Sequence, residues 1–308
     1  MSLLVRINRP EYVFRPSAAL KRLRFGTEKS HHGGEIADVD LPWSQTITVL
    51  PDGIGRNLAV SGVFDLCVTE SIHRLLDPGD MAVDVGANVG YLTNLMATRV
   101  GPTGSVLAFE PHPVVFEVLE RNVSRWNADE RIGSPEARRL ALSSEDGAGR
   151  LSGEGDFETH MGLASVRDDS EGPRPGDFEV ELARLDRLLD GRSPQLIKID
   201  VEGHEIAVLE GAQALLGERR VRDVVFEEHG IYPTASMTLL ERHGMTVFTL
   251  DHTLLGLRVR PVREGPAPAG WPGPNYLATF EPNRALTRLG GRGWSSLGLG
   301  ARADRPAR

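Results

Sequence analysis

Short apolar runs alternate with segments of helical spacing from Ala82 to Pro282, and this alternation restricts the fold more than any other feature. The predicted strands are AVDVG (82–86), SVLAFE (105–110), ARRLALS (137–143), LIKIDV (196–201), DVVFEEH (223–229), MTVFTL (245–250) and NYLATFEP (275–282). Helical spacing is clearest in 89–100, 113–126 and 205–217. Strands that alternate with helices pair in parallel through right-handed crossovers. We therefore predict an α/β protein with a mostly parallel, seven-stranded, Rossmann-like sheet flanked by helices.

The chain divides into three predicted parts. Residues 1–75 form an N-terminal extension or cap with a strand in TITVL (46–50) and a helix in 64–76. Residues 76–282 form the α/β domain, and the basic, glycine-rich residues 283–308 form a flexible tail.

Composition and charge exclude several classes of function. The net charge of −8 argues against nucleic-acid binding, which depends on a basic surface. No stretch approaches the ~20 apolar residues of a membrane-spanning helix. Cys67 is the only cysteine in the sequence, which suits a reducing compartment. We predict a cytoplasmic protein without a nucleic-acid or membrane partner; the sequence leaves homo-oligomerisation open.

The turn after the first strand of the α/β domain carries a ligand-binding pattern. Asp84 precedes Gly86-Ala-Asn88-Val-Gly90, and a helix follows. Glycine lets a ligand approach the backbone, and the N-terminus of a helix offers free N–H groups to an anion. A dinucleotide site has G-x-G-x-x-G, whereas this turn has G-x-x-x-G. Asp84 would repel pyrophosphate but hold an ammonium group, so the turn suits the methionine end of S-adenosylmethionine.

Glu110 ends the next strand, and a carboxylate there can accept hydrogen bonds from a ribose diol. With Asp84 and the glycine turn it completes a predicted cofactor site, in which Ala141 and Leu142 lie near the adenine. A nicotinamide-dependent oxidoreductase would also have an acid after the second strand, but this sequence lacks the third glycine of the dinucleotide pattern. Such an oxidoreductase stays an alternative function.

The sequence resembles the FkbM family of S-adenosylmethionine-dependent methyltransferases. The resemblance rests on VDVGANVGYLT (83–93), LAFEPHP (107–113), LALSSEDG (140–147) and above all LIKIDVEGHEIAVLEGA (196–212), and it spans roughly residues 78–250. It implies the class I methyltransferase fold, S-adenosylmethionine as cofactor with S-adenosylhomocysteine as product, and methylation of a hydroxyl on a polyketide, sugar or other specialised metabolite. N-methylation or carboxyl methylation of a small molecule or peptide is the alternative.

Four side chains at the ends of the fourth and fifth strands are candidate catalytic residues: Asp200, Glu202, His204 and Glu228. A hydroxyl acceptor must lose a proton, so a general base within hydrogen-bond reach is useful. His204 can change its charge near neutral pH. Asp200 has a second predicted role, in which it hydrogen-bonds the loop or the amino group of the cofactor. Glu205 is better placed to interact with the dipole of the following helix.

A catalytic metal is not favoured. Asp200 and Glu228 would suit a hard cation such as Mg²⁺, but EEH (227–229) departs from the Asp or Asn that usually completes such a site. We expect acceptor recognition to come from residues 1–75, the 152–178 excursion and the C-terminal segment.

Overall fold

The computed structural model describes residues 10–15, 36–151, 166–167, 176–264 and 274–298. Strands β1 to β14 among these residues are, in order, Ala37–Asp40, Thr46–Val49, Met81–Val85, Ser105–Phe109, Ser134–Arg138, Ala141–Leu142, Gly147–Leu151, Val166–Arg167, Phe178–Ala183, Leu196–Ile199, Asp223–Glu227, Thr246–Thr253, Gly256–Pro261 and Asn275–Thr279.

The helices of the described residues lie mostly between the strands. Helices α1 to α10 are, in order, Pro10–Val13, Gly53–Ser61, Leu66–Leu75, Tyr91–Val100, Pro113–Trp126, Leu185–Leu189, Glu205–Glu210, Gln213–Gly217, Ala235–Arg242 and Pro282–Leu289. Short 3₁₀ turns follow at Val262–Glu264 and Ser295–Leu297. None of these described helices is both long enough and apolar enough to span a bilayer.

The central sheet has the order β13-β12-β14-β11-β10-β3-β4-β5. The run from β11 to β5 is parallel, and β14, β12 and β13 join by antiparallel pairing. The predicted class I methyltransferase fold is confirmed. The sheet contains an eighth strand that the sequence did not indicate, because β13 is an edge strand carrying Arg258 and Arg260.

Two segment predictions were wrong in detail. The run 137–143 is not one strand. Strand β5 belongs to the central sheet and ends at Arg138, whereas β6 pairs with β9 in a separate four-stranded sheet. The predicted helix 205–217 is broken at Gly211, where a Cβ atom would lie 2.1 Å from the carbonyl oxygen of Ser143. This close backbone contact explains why only glycine fits at position 211, between α7 and α8.

The C-terminal segment up to residue 298 is folded, so the expectation of a flexible tail is wrong for 283–298. Helix α10 buries Ala285 and Leu289, and Trp294 is 2% exposed. The fully buried Glu70 accepts hydrogen bonds from the backbone N–H groups of Ser295 and Ser296, each at 2.8 Å. Apolar burial and this buried carboxylate together hold the segment against α3. Residues 299–308 lie outside the described part, and the three-part division of the chain remains a prediction.

Candidate active site

A cleft of about 500 Å³ opens at the carboxyl ends of β3, β4, β10 and β11. Ligands of open α/β sheets bind at this edge, and the volume lies within the ~300–1,000 Å³ of small-molecule sites. The N-terminal ends of α2 and α3 close the cleft from the side of the N-terminal extension. The fold therefore brings the predicted cofactor and acceptor residues to one cavity.

The two glycines of the turn serve the packing of the chain more than the approach of a ligand. Gly86 has a φ of +74°, and a Cβ there would lie 1.9 Å from the carbonyl oxygen of Asp200. Gly90 has a φ of +93°, and its Cβ would lie 2.7 Å from Leu119 and 3.0 Å from Trp126. Gly86 lines the cleft, but Gly90 does not. The expectation that both glycines face the ligand is therefore wrong for Gly90, which lets α4 pack against α5.

Asp84 does not line the cleft, contrary to the expectation that it contacts a ligand ammonium directly. Its side chain is fully buried, and one carboxylate oxygen accepts a hydrogen bond from the Thr93 hydroxyl at 2.6 Å. The other oxygen lies 3.4 Å from Nζ of Lys198. The cation beside Asp84 is therefore an ammonium of the protein itself.

Glu110 stands where the sequence predicts it, at the end of β4 and on the wall of the cleft. Its carboxylate accepts hydrogen bonds from the backbone N–H groups of Asn88 and His112, each at 2.9 Å. Burial raises the pKa of Glu110 to about 7, against these two bonds, which lower it. Asn88 lines the cleft too and has a left-handed φ of +51°. The carboxylate thus fixes the turn and retains lone pairs for a ligand hydroxyl.

The predicted adenine contacts lie on an apolar part of the same cleft. Ala141 and Leu142 line it together with Leu140 and Leu151. Ala141 and Leu142 are buried, at 4% and 2% exposure. This apolar wall suits a flat aromatic group.

The loop after β10 brings three of the four candidate catalytic side chains to the cleft. Asp200, Glu202 and His204 all line it. Glu202 has a left-handed φ of +52°, a costly conformation for a residue with a side chain. Burial and the neighbouring Asp200 raise the pKa of Glu202 to about 6. His204 lies within hydrogen-bond distance of Ser143, with Nε2 3.0 Å from Oγ, and burial lowers its pKa.

Glu228 does not line the cleft, and the neighbouring Glu227 does. Glu227 is the last residue of β11, whereas Glu228 follows the strand and accepts a hydrogen bond from the N–H of Gly230 at 3.1 Å. Burial, with Asp200, Asp65 and Glu202 nearby, raises the pKa of Glu227 to about 8. The structure therefore brings Glu227, and not the predicted Glu228, to the cleft wall beside Asp200 and Glu202.

Asp65, which was not among the predicted site residues, reaches the cleft from the N-terminal extension. It caps α3 by accepting a hydrogen bond from the N–H of Val68 at 3.2 Å, and it accepts another from Nδ2 of Asn275 at 2.7 Å. Asn275 is paired with Glu227 across β14 and β11. An Asp before a helical segment signals a cap, but only the tertiary fold places this cap beside Glu227.

The pair suggested for a hard cation is not assembled, because Glu228 lies outside the cleft wall that holds Asp200. Within the described ranges there is no group of three His, Cys, Asp or Glu side chains arranged to hold a metal ion.

The raised pKa values make a prediction for stability. Burial is the main cause that raises the pKa of Asp65 and Glu202 to about 6, of Glu110 to about 7 and of Glu227 to about 8. The folded protein then binds more protons than the unfolded chain, so the free energy of unfolding falls as the pH rises. We expect the melting temperature without ligand to fall from about pH 5 to about pH 8, and Glu227→Gln to flatten the alkaline part. Calorimetric melting across this pH range measures the change in melting temperature. A melting temperature that rises throughout the range would contradict the raised pKa values of these four carboxyl groups.

Comparison with known proteins identifies methyltransferases. A family model described as "Methyltransferase FkbM domain" matches residues 84–245, just over half of the 308 residues. The 31-O-demethyl-FK506 methyltransferase FkbM of Streptomyces tacrolimicus is 31% identical over 201 residues, covering 56% of this chain and 75% of that protein. Methyltransferase sdnD of Sordaria araneosa is 32% identical over 195 residues, with coverage of 54% and 73%. The hexuronic acid methyltransferase AglP of Haloferax volcanii is 28% identical over 184 residues, with coverage of 57% and 69%.

Proposed function

The chain belongs to the FkbM family and is an S-adenosylmethionine-dependent methyltransferase, and we propose that it methylates a hydroxyl group of a small specialised metabolite: a polyketide, a glycoside or a saccharide. The observation that carries this proposal is one cleft lined both by Glu110 and by the carboxyl groups of Asp200, Glu202 and Glu227. Relatives named as a 31-O-demethyl-FK506 methyltransferase and a hexuronic acid methyltransferase support an oxygen-bearing acceptor.

The cofactor site is formed by residues that fit S-adenosylmethionine. Glu110 would accept the ribose hydroxyls, the backbone of the Gly86–Gly90 turn would contact the methionine part, and Ala141 and Leu142 would cover the adenine. Asp200 follows β10 beside this turn, its side chain is 36% exposed, and it would face the amino group. The bound cofactor supplies an electrophilic methyl group.

The remaining task of the protein is to hold the acceptor hydroxyl in line and to remove its proton. Orientation alone can supply several kcal/mol of the barrier. A base works best when its pKa lies near the working pH, and Glu202 and Glu227 meet this condition with pKa values of about 6 and about 8. As the oxygen attacks, its proton passes to a carboxylate of this group and then to solvent.

Methyl transfer to named acceptors tests the proposal. Wild-type protein is incubated with S-adenosylmethionine carrying a ¹³C-labelled methyl group and, separately, a macrolide lacking one O-methyl group, methyl glucoside and glucuronic acid. We expect a new O-methyl ether signal in a ¹H–¹³C correlation spectrum for at least one of the three. A labelled N-methyl group, or a labelled ester on the uronic carboxylate, would instead support the alternative function.

His204 gives a separate prediction. It lines the cleft, and its imidazole is held by Ser143 at 3.0 Å. We expect His204→Ala to lower kcat by roughly 100-fold, as for a lost proton-transfer group, and to leave the affinity for S-adenosylhomocysteine unchanged. His243→Ala, at the end of α9 and outside the cleft, is the control. An unchanged kcat in His204→Ala would remove the imidazole from the mechanism.

A further inference from the structure

Lys198 is one of the residues that line the cleft, and its ammonium group joins the two halves of the site. Lys198 lies on β10 and is 5% exposed. Its Nζ donates hydrogen bonds to the carbonyl oxygens of Gly86 at 2.7 Å and Val85 at 3.3 Å. It also lies 3.4 Å from Asp84 and 3.7 Å from Asp200. One side chain therefore contacts both the glycine turn and the first acid after β10.

These contacts keep the buried group charged. Burial alone would lower the pKa of Lys198, but Asp84 and Asp200 outweigh it and raise the pKa above its ordinary value. A buried ammonium is tolerated only when carboxylates and hydrogen-bond acceptors surround it. Lys198 meets this condition through Asp84, Asp200 and the two carbonyl oxygens.

Asp84 and Lys198 lie where the glycine turn and the chain after β10 are in close backbone contact. The turn approaches the chain after β10 so closely that any Cβ at Gly86 would collide with the carbonyl oxygen of Asp200. Strands β3 and β10 pair in parallel, with Asp84 opposite Lys198. The hydrogen bond from Lys198 to Gly86 crosses the same contact. Any movement of the ammonium would shift the turn and Asp200 together.

We propose that Lys198 is a positioning residue, which holds the Gly86–Gly90 turn and Asp200 in the geometry that binds the cofactor. It occupies the place beside Asp84 that the sequence argument gave to the ammonium group of the ligand. The role rests on the cofactor half of the proposed function and is independent of the acceptor. In this role the lysine of KIDVEGHE (198–205) supports cofactor binding indirectly, because it holds the backbone of the glycine turn.

Two charge-removing variants separate positioning from simple neutralisation of Asp84. Lys198→Met leaves Asp84 as an unpaired buried carboxylate, so it should melt at a lower temperature than the wild type. The double variant K198M/D84N removes both charges and should recover most of that loss. We expect its Kd for S-adenosylhomocysteine to rise by roughly 10- to 100-fold, as for a lost hydrogen bond to a charged group. Calorimetric titration and calorimetric melting are the two readouts.

Asp84→Asn alone is the second test and does not depend on the folding of the double variant. It keeps the Lys198 ammonium and its contacts to Gly86 and Asp200, so we expect the Kd to stay within about threefold of the wild type. Asp223→Asn is the matched control. Asp223 is fully buried and 2.9 Å from Arg222, but it begins β11 at the opposite edge of the sheet. It should lower the melting temperature and leave the Kd unchanged.

Each outcome decides the role of Lys198. Recovered melting with weakened binding in K198M/D84N, and near-normal binding in D84N, supports the positioning role. Wild-type affinity in K198M/D84N would show that the ammonium only neutralises Asp84. A D84N variant as weak as the double variant would mean that Asp84 contacts the ligand itself, which also overturns the proposal. A wild-type protein that fails to bind S-adenosylhomocysteine would contradict the proposed function together with this role.

Discussion

Replacing Glu110 with alanine is expected to weaken the binding of S-adenosylhomocysteine by about 1–3 kcal/mol, or roughly 5- to 150-fold in Kd. The carboxylate would lose its bonds to the ligand ribose. Its bonds to the N–H groups of Asn88 and His112, at 2.9 Å each, would be lost as well, so the turn would lose one of its anchors. Titration calorimetry of the variant against the wild type measures the effect.

Two further variants make the Glu110 result specific. Glu110→Gln keeps the shape and one acceptor oxygen, so its Kd should fall between those of the wild type and the alanine variant. Glu136→Ala is the control, because Glu136 is an exposed residue on β5 that pairs with Arg138 at 2.8 Å and does not line the cleft. An E110A variant that binds as tightly as E136A would show that the ribose lies elsewhere.

Glu227→Gln is expected to lower kcat by roughly 100-fold or more, the contribution of a positioned acid or base. Glu227 lines the cleft with a pKa raised to about 8, and its Oε1 lies 3.3 Å from Nε2 of His229. Glutamine keeps the size of the side chain and removes the titration. The assay is methyl transfer to the acceptor identified by the labelling experiment, measured across pH.

The adjacent Glu228→Gln is the matched control for Glu227. Glu228 follows directly in the sequence, but its carboxylate binds the N–H of Gly230 instead of facing the cleft. We expect it to change kcat by no more than about twofold. If Glu228→Gln lost the activity and Glu227→Gln kept it, the side-chain orientation at the end of β11 would be wrong.

The fold could be predicted because its signals are local. Helix α5 matches its predicted bounds of 113–126, since Pro113 suits the first turn and Val115, Leu119 and Trp126 recur at helical spacing. The parallel strands β3, β4 and β10 were predicted for a similar reason, as near-continuous apolar runs, although β3 contains Asp84 and β10 contains Lys198. Strand β13 alternates two apolar residues with two arginines, but it is short and bounded by Gly256 and Pro261, which are typical of a turn.

The site could be predicted only in part, because its remaining features depend on contacts between distant segments. Glu110 and Gly86 follow from their place after a strand. The choice between Glu227 and Glu228 depends on how the chain leaves β11, which ends at Glu227, and the sequence does not show which of the two carboxylates reaches the cleft. Lys198 and Asp65 were missed because their partners, Gly86 and Asn275, lie far away along the chain.

Whether the cleft is an S-adenosylmethionine site can be decided by a calorimetric titration of the wild-type protein. S-adenosylhomocysteine and NADH are titrated in parallel under the same conditions. We expect saturable binding of S-adenosylhomocysteine at one site per chain and no heat of binding for NADH. Binding of NADH without S-adenosylhomocysteine would contradict it, because the turn after β3 would then accept a dinucleotide.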